Sequence, residues 1–469
     1  MTNKNQNLFQ MKKTSIVALI LLIISSGFYL LIRITGDFRS NILHFILIIF
    51  PIFLVYFYFI IHVLRNSKSK LPGLFWILIF GIFFRLIFIS QNPVLSDDIY
   101  RYLWDGKVSA AGINPYQFAP NATELELLHD SEIYPNINFP EIASVYPPVS
   151  QLFFLINDFL GGTILGWKIL LLFVELILIF ILLKMSHFFS LDKSRVIIYF
   201  LNPLVIIETY QSGHMEIIGI LFFWLAVYLF YKNKEWYAAG LFLTSLMVKF
   251  LPLLTAIPFL SKKFWQKWWI MFVGFVGVIT LISITGVIPM GGFFSYANRW
   301  EFNGAIYKIA TAAIDFSIEK PKTLFQLTIG GNLEIFYLNS AFVYKIFVTI
   351  IFIIILIDQL KKLKVTARFK SVNYIQTSFF LTAALLLLTP TLYPWYLIWL
   401  IPFLIFVPNW SWLAFTFLIQ ISYFILEQYA AAGIWQESNL ILLIEYLPFY
   451  FLLLFEYFDK RKIKGWFSI

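Results

Sequence analysis

The feature that most constrains this chain is the recurrence of uninterrupted apolar runs long enough to cross a bilayer as helices. A crossing takes about 20 residues at 1.5 Å rise per residue. Runs of this kind lie at 14–35, 42–64, 71–90, 164–184, 196–213, 216–231, 269–288, 341–360, 373–389, 410–426 and 440–458. Shorter apolar pieces at 148–160, 237–249, 251–260 and 395–407 read as short, broken or interfacial helices. Such pieces are tolerated where protein buries them or where they line a cavity. The expected fold is an all-α integral membrane protein with about 13–14 transmembrane helices, one polytopic domain over residues 1–469.

Composition agrees. Of the 469 residues 60% are hydrophobic and 13% charged, against about 45–50% and 25% in soluble proteins. A soluble enzyme, a nucleic-acid-binding module and a disordered chain are excluded. With no cysteine, disulfides, zinc–thiolate sites, iron–sulfur clusters and thiol nucleophiles are excluded too. No Walker loop, dinucleotide-binding glycine fingerprint or His/Asp cluster with metal-ligand spacing occurs, so no cofactor is required by sequence. No internal repeat of the inverted-transporter kind is evident. The net charge of +10 does not call for a nucleic-acid partner, because basic residues of membrane proteins collect in cytoplasmic loops.

Their distribution sets the orientation. Segments 1–13, 65–70, 184–195, 232–235, 261–268, 361–370 and 459–464 hold 23 of the 35 Lys and Arg. Placing them all inside gives a consistent weave with both termini cytoplasmic. The first run, after Lys12 and Lys13, is too long for a signal peptide and reads as a retained anchor. Three segments then face outward: a first large loop at 91–147, a second at 289–340, and the turn around Leu392–Trp395. The first holds 8 of the 25 acidic residues and only two basic ones, Arg101 and Lys107. A loop of that length is more than a connector.

The most informative stretch is Ser96–Pro120, SDDIYRYLWDGKVSAAGINPYQFAP. Two adjacent carboxylates, Asp97 and Asp98, follow the end of an apolar run, and one of them should titrate high unless a cation compensates. Arg101, one helical turn on, is the nearest such cation. The same residues also read as a helix start, with Ser96, Asp97 and Asp98 at the N-cap; a cap and a reactive carboxylate are compatible. Whether the pair holds a divalent cation or is neutralised by nearby basic residues stays open. Downstream, Gly112–Tyr116 reads as a turn, and Tyr146-Pro147-Pro148 marks re-entry into the bilayer.

Four further places carry polar or aromatic residues beside apolar runs. Gln211–Glu216 contains His214 and Glu216, either a functional pair at membrane depth or a polar turn at the interface. Lys249 precedes Pro252, where a helix breaks, and reads as an anion contact or a snorkelling side chain. Arg299-Trp300-Glu301-Phe302-Asn303 and Thr389–Tyr396 are aromatic and polar. In the latter, Tyr393, Trp395 and Tyr396 suit an aromatic belt, while two prolines impose a rigid turn. Glu175, Asp158 and Glu208 stand isolated in or beside apolar runs.

At these residues the chain resembles the polytopic glycosyltransferases of the C superfamily (GT-C), and most of all the bacterial polyprenyl-phosphate-mannose-dependent mannosyltransferases. The resemblance rests on Asp97 and Asp98 followed by RYLWDG and GINPY, YPP at Tyr146–Pro148, the GHxE-type turn at His214 and Glu216, Lys249, RWEFN at Arg299–Asn303 and TPTLYPWY at Thr389–Tyr396. It implies an inverting transfer of a sugar, mannose by the family pattern, from a polyprenyl-phosphate donor to a glycan or glycolipid acceptor. The site would lie on the outer face of a bacterial cytoplasmic membrane. Asp97 or Asp98 would be the base, Arg101, Lys249 and Arg299 would meet the donor phosphate, and Tyr102, Trp104, Asp105, Asn114, Tyr116, His214, Glu216, Asn303, Tyr393, Trp395 and Tyr396 would contact substrate. Two features differ from the family pattern: the acidic loop follows the third apolar run, and the histidine turn reads GHME. A transporter or lipid-linked sugar flippase, and a polymerase or ligase of surface glycans, are the competing readings.

Overall fold

In the computed structural model the described residues are 3–65, 74–259, 301–316, 322–329, 332–366 and 372–459, with a few more between 269 and 280. The chain divides into two compact units. Among the described residues six helices are long and apolar enough to span a membrane: Ser15–Thr35, Ile42–Arg65, Ile164–Phe188, Ser340–Leu363, Trp410–Ala432 and Asn439–Phe458. Phe75–Phe88, Glu216–Tyr231 and Asn373–Leu388 are shorter apolar helices. The fold is thus that of an all-α membrane protein, as the apolar runs require. The expected crossing at 269–288 falls largely outside the described residues.

The first unit comprises Met1–Ser96, Lys168–His214 and Ile401–Ile469. Its run at 196–213 is not one helix. Asn202 and Pro203 interrupt it: the Asn202 side chain accepts from Leu204 N, and Pro203 opens a new turn. The segment continues as a single π-turn, Ile207–Gln211. Every residue from Val196 to Gln211 is buried, so the broken backbone sits where protein groups can satisfy it. Tyr56 ties the break to the helix Ile42–Arg65 by donating to Ile198 O at 2.7 Å.

A buried ion pair lies inside this unit. Arg85 Nε and Nη2 grip both oxygens of Glu175 at 2.6 Å, with both side chains fully buried, and the Tyr210 hydroxyl donates to the same carboxylate. The guanidinium also lies 4.3 Å from the Phe200 ring centre. Two helix starts are closed by carboxylates from elsewhere in the sequence. Glu427 accepts from the amide of Ile42, and Glu456 from those of Trp410 and Ser411.

The second unit comprises Asp97–Trp167 and Met215–Leu400. The helix Asp98–Ala110 lies against Pro148–Phe159, and Gly106 sets their separation. A Cβ there would meet the Phe154 carbonyl oxygen at 2.4 Å. Glu216–Tyr231 and Glu235–Leu246 form a hairpin, closed where the Ser245 hydroxyl donates to Gly219 O at 2.7 Å. Ala305–Asp315, Ser340–Thr366 and Asn373–Leu388 are further helices of this unit. One element departs from an all-helical expectation: within the second large loop, Lys322–Ile329 and Asn332–Leu338 pair as an antiparallel hairpin. Residues 395–407, read as an apolar piece, form 3-10 turns, Pro394–Trp399 and Ile401–Ile405.

Candidate functional site

The acidic pair sits at the start of the Asp98–Ala110 helix, as its sequence predicts, but it does not act as a cap. Asp97 holds the N-cap position with φ −102° and ψ 2°, and its side chain makes no capping hydrogen bond. Asp98 occupies the first turn, where the helix dipole favours a negative charge. Its carboxyl accepts from Asn138 and faces Lys249, Glu216 and Asp97. Burial is the largest influence on it and raises its pKa. Lys249 opposes that rise, Glu216 and Asp97 add to it, and Asn138 opposes it; the outcome is a pKa of about 6. One member of the pair thus titrates high, as the sequence leads one to expect.

The compensating cation is Lys249 rather than Arg101. Lys249 follows the end of the Glu235–Leu246 helix, and its neighbours are anchored to the start of the Pro148–Phe159 helix. Met247 O accepts from Val149 N at 3.1 Å, and Val248 O from Ser150 Oγ at 2.9 Å. Val149 and Ser150, the two residues that follow the YPP motif, therefore fix the backbone that carries the lysine. Lys249 Nζ pairs with Glu216 Oε1 and lies 4.0 Å from the centre of the Tyr396 ring. Its side chain is 24% exposed and that of Glu216 1%. This is a held charge, not a snorkelling one. Glu216 Oε2 has no hydrogen-bond partner.

Arg101 points one turn further along its own helix. Its Nε is 2.9 Å from Asp105 Oδ1, and Asp105 Oδ2 accepts from Ser144 Oγ and from Gln151 Nε2 at 2.9 Å. The i, i+4 spacing matches this pairing better than the i, i+3 spacing to Asp98. Trp104 is 1% exposed and packs with Val108, Leu125 and Ile137 in the interior of the loop at 91–147, a position that suits packing rather than sugar stacking. Tyr102 stacks on Phe154 at 4.9 Å, and burial pushes its hydroxyl well above the usual range. Asn114 Oδ1 accepts from Tyr116 N at 3.0 Å, and the Tyr116 hydroxyl donates to Tyr146 O at 2.6 Å. RYLWDG and GINPY thus build the frame of the loop. Ser144, Gln151 and Asn138, which no motif marked, are the partners that complete it.

The two distant aromatic motifs meet. Phe302 N donates to Pro390 O at 3.1 Å, and Leu392 N to Phe302 O at 2.7 Å. Phe302, Tyr393 and Trp395 stack in series, with ring centres 4.5 and 4.4 Å apart. Tyr396 stands edge-on to both Tyr393 and Trp395. Asn303 adopts φ +58°, an unusual conformation that asparagine tolerates. It is followed by Gly304, where a Cβ would meet the Pro390 carbonyl at 2.9 Å. Arg299 lies outside the described residues.

His214 belongs to the first unit. Its amide donates to Glu208 O at 2.9 Å, its Nε2 lies 3.6 Å from Glu208 Oε2, and the Tyr423 hydroxyl donates to both oxygens of that carboxylate. Glu208 and Glu175, isolated in sequence, are thus both satisfied by partners far along the chain. Among the described residues no group of three His, Asp or Glu side chains is arranged to hold a metal ion. The chemistry on hand is a carboxylate whose pKa burial raises to about 6, an adjacent ammonium, and a wall of stacked rings on Tyr393–Tyr396.

Comparison with known proteins agrees with the resemblance. The model of a family described as alpha-(1->6)-mannopyranosyltransferase, N-terminal domain, matches residues 40–265. That range contains Asp97, Asp98, RYLWDG, the histidine turn and Lys249, and it is consistent with a GT-C mannosyltransferase. Together with helices of membrane-spanning length it supports a membrane glycosyltransferase. No curated protein and no solved structure matches the chain.

Proposed function

We propose that the protein is an integral-membrane inverting mannosyltransferase that takes its sugar from a polyprenyl-phosphate donor. It delivers the sugar to an acceptor hydroxyl on the outer face of a bacterial cytoplasmic membrane. The observation that carries this reading is the juxtaposition of Asp98, with its pKa of about 6, and Lys249. Asp98 is assigned as the base, because burial raises its pKa to about 6 beside Lys249. It takes the proton of the acceptor hydroxyl as the acceptor oxygen bonds to the anomeric carbon. The bond from that carbon to the phosphate oxygen breaks, and its electron pair stays on the phosphate. The donor's phosphodiester becomes a monoester, so negative charge grows on its oxygens, where a fixed cation stabilises it most. Lys249 and Arg299 are assigned to that phosphate.

Arg101, Trp104 and Asp105 hold the loop, while Tyr393, Trp395, Tyr396 and Asn303 are assigned to the sugar and the lipid end of the donor. Glu216 orients Lys249. The proposed reaction needs no metal, since Lys249 supplies positive charge at the acidic centre. Purified full-length protein in lipid nanodiscs, given labelled polyprenyl-phosphate mannose and a mannan acceptor, should form a product of anomeric configuration opposite to the donor's, in excess EDTA as well as with magnesium. A retained configuration would refute the single displacement. Donor translocation without any transfer would favour a flippase, and transfer only from a preassembled diphosphate-linked oligosaccharide a polymerase.

A further inference from the structure

After leaving the Asp98–Ala110 helix, the external loop folds back along it as a strap fastened at three levels. At the far end Lys107 Nζ donates to Asp130 Oδ2 at 2.7 Å. The other Asp130 oxygen accepts from the amides of Glu132 and Ile133 and so turns the chain. In the middle Trp104 meets the rings of His129 and Tyr134, each at 5.6 Å, and Ile137 enters the same apolar cluster. At the near end the Asn138 side chain donates to Asp98. Asp98 and Lys107 are separated by about 13 Å of helix axis at 1.5 Å per residue, and the strap runs that distance in the opposite sense.

The turn that delivers Asn138 is an unusual one. Phe139 adopts φ +54°, a left-handed conformation that bulky residues rarely take. It is held from both sides: Phe139 O accepts from Ile142 N, and Pro140 O from Asn121 N, each at 3.0 Å. Asn138 is itself exposed and makes no contribution to the apolar cluster.

We infer that Asn138 is a positioning residue of the proposed transfer, its amide presented by the strap so as to fix how the Asp98 carboxylate meets the acceptor hydroxyl. The inference rests on Asp98 being the base. A donor to a carboxylate also favours its charged form, the form a base must have. The groups facing Asp98 include Asp97 from its own segment, Glu216 from the first turn of Glu216–Tyr231, Lys249 beyond Glu235–Leu246, the Tyr102 hydroxyl, and Asn138. Asn138 is the neutral donor of that set contributed by the strap.

The test is the pH dependence of kcat for the full-length protein in nanodiscs, with saturating labelled polyprenyl-phosphate mannose. Loss of one hydrogen bond to a charged group corresponds to about one pH unit. Asn138→Ala should therefore move the acid limb up by about that much and lower kcat at pH 6 roughly fivefold, with donor KM unchanged. Asn138→Asp, which adds a carboxylate, should move it further. Glu132→Gln, on the same strap but away from Asp98, should leave the profile as it is. An acid limb unmoved in both Asn138 variants, or moved equally by Glu132→Gln, overturns the positioning role. Asp98→Asn separates the two claims. If it is inactive while the Asn138 variants behave as wild type, only the role of Asn138 fails; if it is active, the base itself has been misassigned.

Discussion

Replacing Lys249 by Gln is the perturbation whose consequences the site defines most fully. The lysine is the partner of Glu216, whose second oxygen is already unsatisfied in a side chain only 1% exposed. It is also the cation that opposes the rise in the Asp98 pKa. Without it, Asp98 keeps the neighbouring carboxylates of Asp97 and Glu216 and loses the lysine that opposes them. An adjacent opposite charge commonly lowers a carboxylate pKa by about 1–3 units, so its removal should carry Asp98 from about 6 to about 8. With the base required in its ionised form, the acid limb of kcat moves up by the same amount. At pH 7 the active fraction falls from about nine-tenths to about one-tenth. Loss of a fixed positive charge at the developing phosphate costs a further 10²–10³-fold, on the order of 3–4 kcal/mol, at every pH. The assay is kcat against pH between 5 and 9 in nanodiscs. The double variant Lys249→Gln/Glu216→Gln, which removes the stranded carboxylate, should bring the limb back towards neutrality without restoring the plateau. A Lys249→Gln enzyme with an unshifted limb and kcat within threefold of wild type would refute the reasoning.

Three other outcomes follow from the packing and the charge pairs. Gly106→Ala would set a methyl against the Phe154 carbonyl and should destabilise the protein by about 1–3 kcal/mol, read as a lower thermal midpoint in detergent. Arg85→Met alone strands Glu175 in a fully buried site and should cost about 3–5 kcal/mol, whereas Arg85→Met with Glu175→Leu should recover most of that loss; urea titration of the purified variants measures both. Trp104→Ala should cost about 3–5 kcal/mol of stability and leave donor KM unchanged in the remaining folded enzyme, because the ring packs inside the loop; a raised KM with unchanged stability would restore it to sugar binding.

The helices were legible because hydropathy over a window of bilayer length is a strong signal: Ile42–Arg65, Glu216–Tyr231 and Asn439–Phe458 begin and end within two residues of the apolar runs. What hydropathy does not register is a break inside a buried run. Asn202-Pro203 interrupts residues 196–213, and the π-turn that follows has no compositional mark. The acidic pair and Lys249 stood out because charges are rare beside apolar runs. Their pairing did not, since Lys249 and Asp98 lie far apart in sequence and Arg101 offered a nearer cation. RYLWDG illustrates the same limit in another way. Its residues look like a site, yet Arg101 and Asp105 bind each other, Trp104 fills the loop interior and Gly106 admits a neighbouring helix. Asn138 carried no signal at all, because a lone asparagine in a polar loop is indistinguishable from any other until the chain's path is known. The meeting of Phe302–Asn303 with Pro390–Leu392 was likewise invisible to local spacing.

The central claim is that Asp98, and not its neighbour, removes the acceptor proton. Transfer from labelled polyprenyl-phosphate mannose by Asp97→Asn and Asp98→Asn, each reconstituted alongside wild type and matched for folded protein, tests it most directly. The account predicts that Asp98→Asn loses at least about 10²–10⁴-fold in kcat. Asp97→Asn should keep most of its activity, with an acid limb displaced to lower pH, because one of the charges that raise Asp98 has gone. Full transfer by Asp98→Asn, or loss confined to Asp97→Asn, would contradict it.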